Sequence, residues 1–238
     1  MKWLLLVGFA VATVTTFFVA PAGGFPDPEL ARVIFFHLPC AFVTTGFIIF
    51  AAIAGMMYLK NRTWIWEARS YAANDLGTRM AVATMLTGIL FSKVQWGAYW
   101  HWDPRQTSFL IVLLLQGAYM AIRMAFDDDV MRARVSAAYS TLTLLPVLFL
   151  IFVFPRLPQV AKNSLHPQDT VLKGKFTPDY LSVVTVIFCL LLWTCIWLYR
   201  AYVRTTMIAK RLQDQDGNLE TNSSTTSPRR VGESISIR

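Results

Sequence analysis

The sequence predicts an all-α integral membrane protein of six transmembrane helices with both termini cytoplasmic. Three observations lead there. Of 238 residues, 55% are hydrophobic and only 15% charged, against about 25% charged in an ordinary soluble domain. The apolar residues gather into six runs, at 3–20, 33–59, 76–92, 107–126, 135–154 and 180–199. Each approaches the roughly 20 residues that cross hydrocarbon as a helix, and none alternates strictly as a barrel strand does. Finally, 15 of the 22 Lys and Arg residues fall on one side of the resulting topology and 7 on the other. The basic side is the cytoplasmic one, and it holds Lys2, the 60–79 segment, Arg123, Arg132, Arg134 and everything from Arg200 onward.

The elements follow in order. Lys2, a long apolar stretch and Ala20-Pro21-Ala22 resemble a cleaved leader, but the apolar core exceeds the roughly 7–15 residues of a signal peptide, so a retained helix is favoured. A Pro- and Gly-rich segment from Pro21 to Pro28 breaks the chain before the second helix. Arg79 and Arg123 lie near inner helix ends, where such side chains snorkel. Asp127, Asp128 and Asp129 end the fourth run as a solvated cap. Pro155, Pro158, Pro167 and Pro178 punctuate the last outer loop. From about Thr205 the apolar residues give way to Asp, Asn, Ser, Thr and Arg, a composition that buries too little surface to order itself. The expected division is a membrane domain over 1–204 and a disordered cytoplasmic tail over 205–238.

Several chemistries are excluded. Cys40, Cys189 and Cys195 form no CxxC pair and no CxxCH, and read as small apolar helix residues. There is no phosphate-binding glycine loop and no line of carboxylates through the helices. The net charge of +8 is mostly the topological bias and says nothing in favour of nucleic acid.

One segment stands apart. Residues 96–107 read WGAYWHWDPRQT, in an outward-facing loop between two apolar helices. Interfacial aromatic belts spread their rings over many helix ends; here Trp96, Tyr99, Trp100 and Trp102 are concentrated in one loop. Flat aromatic faces with Asp103 and Arg105 at their edge suit a large, flat, apolar ligand that carries carboxylates, as a porphyrin does. The three histidines, His37, His101 and His166, all fall on the same outer side. Imidazole is the usual nitrogen ligand of haem iron. Zinc wants three or four clustered ligands, which the chain lacks. Arg105 has the forked geometry that matches a carboxylate; equally, Asp103 and Arg105 could clasp one another around Pro104.

These residues resemble a known family. WGAYWHWDPRQTS is similar to the tryptophan-rich signature of the cytochrome c assembly proteins, RVIFFHLPCA to the segment bearing their first haem-ligand histidine, and NSLHPQ to that bearing the second. The resemblance covers about Arg32 to Gln168 and is closest to the six-helix branch, haem exporter protein C (CcmC). It implies that His37 and His166 are axial haem ligands and that Trp96, Trp100, Trp102 and Asp103 form the signature's core. Tyr99 stands where that branch usually has Trp, and Asp-Pro-Arg-Gln-Thr replaces Asp-Ala-Arg-Leu-Thr. The Asp-Pro is more typical of the larger CcsA branch, and His101 occupies a usually apolar position.

The resemblance implies a non-enzymatic, multi-pass protein of the inner (plasma) membrane that holds haem b on a periplasmic-side platform and delivers it to a haem acceptor, a CcmE-like haem chaperone, during cytochrome c maturation. ABC transporter subunits and a small single-helix protein are the implied complex partners. Two other classes stay open on the residues themselves: a haem b-containing electron-transfer subunit that oxidises quinol, and a pigment-free channel with an aromatic gate.

Overall fold

The computed structural model describes residues 2–19, 25–166 and 177–225, with side chains from residue 3 to residue 216 within those limits. Most of the described residues are helical, and there is no strand among them. The helices are α1 (Lys2–Thr15), α2 (Ile34–Asn61), α3 (Trp64–Trp96), α4 (Pro104–Met124), α5 (Asp129–Leu148), the single turn α6 (Pro158–Ala161) and α7 (Pro178–Thr225). Four stretches are long and apolar enough to cross a membrane: Leu30–Asn61, Pro104–Met124, Asp129–Arg156 and Pro178–Asp216. Helix α1 is apolar but shorter.

Local chemistry sets the boundaries. Helix α2 ends on Arg62 and α3 on Gly97, both in the left-handed conformation (φ 54° and 83°), the usual way to turn a chain out of a helix. Glycine takes that conformation without strain. Helix α4 opens on the strongest start signal in the chain. Asp103 is the N-cap and its carboxylate accepts from the Arg105 amide, while Pro104 occupies the first helical position. Asp128 caps α5 in the same manner, accepting from the Met131 amide, so the acidic run does act as a cap. Pro146 lies inside α5, and the helix then widens into a π-turn at Phe149–Val153, as helices do where the ladder of hydrogen bonds is broken.

Two helices differ from the expected runs. Helix α3 begins at Trp64, a dozen residues before the apolar run at Leu76. Its polar inner half is held by partners: Glu67 pairs with Arg123 of α4 at 2.9 Å, and Asp75 pairs with Arg79 one turn on. Helix α7 continues past residue 205 to Thr225, so the expected tail boundary is not a helix end. The continuation is anchored on α3 and α5. Tyr202 packs edge-on against Tyr71. Lys210 lies 4.7 Å from the Trp64 ring centre and 3.5 Å from Asp129. Residues 226–238 lie outside the described part, as do His166's following residues up to 176.

Helix α2 is the central post. It packs along α3 and also meets α5 and α7. At its N-terminal end Phe35 stacks on Tyr180 of α7 (centroids 4.0 Å), in a cluster with Ile34, Phe91 and Ile187. On its other flank Ile48 meets Val112 of α4 and Val147 of α5. These two packings hold α2, α3, α4 and the end of α5 around a space at the end of the bundle where α2 begins.

Candidate functional site

That space is a cavity of about 240 Å³. His37, Leu38 and Thr45 of α2, Thr84, Gly88 and Ile89 of α3, Arg105 and Phe109 of α4, Ile151 of the π-turn and His166 all line it. Two histidines far apart in sequence therefore face one apolar chamber.

Each imidazole is held by its Nδ1. On α2, His37 Nδ1 lies 3.1 Å from the Thr84 carbonyl oxygen and 3.0 Å from Thr87 Oγ1. A carbonyl can only accept, so the proton sits on Nδ1 and Nε2 carries the lone pair. Gly88 lets the ring lie flat against α3, since a Cβ there would come within 3.0 Å of His37 Cε1. On the other wall, His166 Nδ1 lies 2.8 Å from Asp103 Oδ1, which again leaves Nε2 as the lone-pair nitrogen. No described hydrogen bond engages Nε2 of either ring. A second partner that fixes the tautomer and orientation of an imidazole is the usual arrangement behind a metal-binding histidine.

Asp103 is the hub. Besides His166 and the Arg105 amide, its carboxylate accepts from Ser164 Oγ at 2.9 Å and from the Leu165 amide at 2.6 Å. Its side chain is wholly buried. Burial opposes ionisation, but the hydrogen bonds from His166 and from the Arg105 and Leu165 amides outweigh it, holding the carboxyl well below the usual range. Of the Asp103–Arg105 clasp expected as one option, the structure shows the carboxylate accepting from the Arg105 amide around Pro104; the same carboxylate serves the His166 segment, and the Arg105 side chain lines the cavity.

The aromatic residues divide into two groups. Trp96 is half-buried and supports the histidines, with its ring edge-on to His166 (5.1 Å) and to His101 (6.3 Å). Trp100 and Trp102 stand perpendicular to one another at 5.7 Å. Trp102 is 73% exposed and Tyr99 57%; Lys93 reaches over the Tyr99 ring. Trp102 also adopts a left-handed backbone (φ 55°), an uncommon state for a bulky residue. Gln106 ties the loop by accepting from the His101 amide. His101 does not line the cavity, and its Nε2 is buried without a hydrogen-bond partner, as is Trp100 Nε1.

Thr84, Thr87, Gly88, Ser164 and the Leu165 amide belong to this site and are absent from the residues expected in it. The first three had a faint signature: two threonines and a glycine at helical spacing in an otherwise apolar run. Nothing in the order of residues says that they face His37.

The fold and the cavity define a helical membrane protein with two imidazoles presented at one end of the bundle. The family model described as Heme exporter protein C matches residues 1–218, and the chain belongs to that family. The chain is 28% identical to the Heme exporter protein C of Paracoccus denitrificans over 77% of this chain and 78% of that one. The protein of the same name from Escherichia coli K12 is 28% identical over 76% and 73%. A putative cytochrome c biosynthesis ccmC-like mitochondrial protein of Marchantia polymorpha is 31% identical over 47% and 50%.

Proposed function

We propose that this protein holds haem b at the outer face of the plasma membrane and passes it to an acceptor during cytochrome c maturation. The observation that carries the reading is the pair of tethered imidazoles on one apolar cavity. His37 and His166 would be the axial ligands, each with its Nδ1 proton committed elsewhere and its Nε2 lone pair available. The donor set fits: two neutral nitrogens, apolar walls for the ring, and Arg105 for a carboxylate. Bound haem would supply the iron that the two imidazoles ligate; the protein supplies position.

The cavity also fits presentation better than storage. Its volume of about 240 Å³ is below the ~300–1,000 Å³ of sites that enclose a drug-sized ligand. A ring as broad as a porphyrin seated there keeps part of its edge outside. The exposed Trp102 and Tyr99 border that outer face and offer a docking surface for a CcmE-like haem chaperone. The role is delivery, not bond-making catalysis. ABC transporter subunits and a small single-helix protein complete the assembly. In this reading all six apolar helices cross the membrane, α1 and α3 included, with both termini cytoplasmic.

Purification followed by absorption spectroscopy tests the ligands. Wild type should carry a six-coordinate, low-spin haem. His37→Ala and His166→Ala should each lose haem or give a five-coordinate spectrum, and unchanged spectra in both would reject the assignment. Mixing the loaded protein with the chaperone then separates delivery from electron transfer: haem moves to the chaperone in the first case and stays in the second.

A further inference from the structure

A second cavity lies on the opposite flank of α2, facing away from the histidines. It measures about 520 Å³, and its walls come from two helices only. Helix α2 contributes Phe42, Val43, Gly46, Phe47 and Phe50; α7 contributes Phe188, Leu192, Ile196, Tyr199 and Arg200. Nine of these ten residues are apolar or aromatic, and the one charge is at an end. Gly46 creates the width, since a Cβ there would meet nothing within 4 Å. Phe42, Phe50 and Ile196 remain more than a third exposed.

The dimensions select an occupant. From Phe188 to Arg200 the helix rises by roughly 18 Å at about 1.5 Å per residue, which matches an extended acyl chain. A cation closes the end from which the basic continuation of α7 begins, with Arg204, Lys210 and Arg211 following. Arg200 is exposed and makes no ion pair among the described residues. Basic side chains just beyond a membrane helix attract anionic lipid headgroups, and basic pockets between membrane helices bind them. An apolar groove of this length, open along one side and with one cation at its end, suits one chain and one phosphate.

We infer that the α2–α7 groove is a binding site for an anionic phospholipid, with an acyl chain along Phe42–Phe50 and the phosphate at Arg200. The site is independent of haem. It ties α2, which carries His37, to the lipid leaflet at the opposite end of the bundle.

Native mass spectrometry of the full chain, titrated with phosphatidylglycerol and with phosphatidylcholine of equal chain length, tests this. Wild type should retain one phosphatidylglycerol about fivefold better, the preference expected of one guanidinium near a phosphate. Arg200→Gln should lose the preference while still retaining lipid, and Gly46→Leu, which fills the channel, should lose both lipids. Gly46→Ala provides a milder variant should Leu impair folding, with an intermediate loss expected. Equal retention of the two lipids by wild type, an unchanged preference in Arg200→Gln, or full retention in both Gly46 variants would overturn the site. So would the finding that a quinone or a second membrane helix occupies the groove in the purified protein.

Discussion

His166 Nδ1 and Asp103 Oδ1 lie 2.8 Å apart, and that contact joins two segments of the chain separated by all of α4 and α5. Asp103 also starts α4, so one carboxylate sets both a helix terminus and the orientation of an imidazole. The two duties are separable by substitution. Asp103→Asn keeps an N-cap oxygen but removes the charged acceptor. Haem affinity should fall by about 10–100-fold, the usual effect of losing the partner behind a ligating imidazole, with the melting temperature nearly kept. Asp103→Ala should lose the affinity and in addition about 0.5–2 kcal/mol of stability. Haem titration alongside thermal unfolding in detergent reads both, and equal stability of the two variants would show that the cap is idle.

Gly88 gives a matching test on the other wall. A methyl group would sit within 3.0 Å of His37 Cε1, against a ring already pinned by Thr84 and Thr87. Gly88→Ala should tilt the imidazole and weaken the axial field, seen as a high-spin fraction in the absorption and electron paramagnetic resonance spectra. Stability should change little, because Ala favours a helix over Gly by about 1 kcal/mol. An unaltered low-spin spectrum would mean that His37 has room to spare.

Trp102 should separate docking from folding. Its side chain is 73% exposed and its backbone is left-handed. Trp102→Gly removes the ring and relieves the backbone, so protein level and melting temperature should hold or rise. Transfer of haem to the chaperone should nevertheless slow. Normal transfer kinetics in this variant would remove Trp102 from the delivery surface.

The Glu67–Arg123 pair is deeply placed, with 10% and 14% of the two side chains exposed, and Arg123 also lies over the Tyr71 ring at 3.9 Å. Arg123→Met leaves a buried carboxylate without its partner and should cost about 3–5 kcal/mol. Adding Glu67→Gln should recover much of that. A double variant no better than the single would show that packing, not charge, holds the pair in place.

Cutting the chain after residue 204 tests whether the remainder forms the haem-handling domain alone. The contacts of Lys210 with Asp129 and Trp64 would be lost, and exposed pairs of this kind contribute at most about 1 kcal/mol each. The truncated protein should insert, fold and show the wild-type haem spectrum with a slightly lower melting temperature. Loss of the spectrum would extend the domain into the continuation of α7.

Apolar run length made α2, α4, α5 and α7 legible in the sequence, and Asp103-Pro104 marked the start of α4 to the residue. The first half of α3 was hidden because Glu67, Arg69 and Asp75 read as a loop between membrane spans. Two of those charges are neutralised within the bundle, Glu67 by Arg123 of α4 and Asp75 by Arg79 one turn on. The continuation of α7 was hidden for a related reason, since its stability comes from Tyr71, Trp64 and Asp129, all far away in sequence. Within the site, His37 and His166 could be singled out by residue type and outer position. The groups that orient them could not, because a carbonyl oxygen and two backbone amides have no letter in the sequence. Asp103 was visible as a charged neighbour, with a clasp to Arg105 as one of two readings, but nothing in the order of residues pairs it with His166.

The dependence of His166 on Asp103 also imposes an order of events during synthesis. His37, Thr84 and Gly88 are all made before α4 begins, so one imidazole has its partners while α4, α5 and α7 are still unmade. The segment that carries Ser164 and His166 emerges only after α5, and it can settle only on an Asp103 already fixed by the first turn of α4. A partly synthesised chain therefore presents a single imidazole to the cavity, and the second arrives only once the start of α4 that seats it has formed.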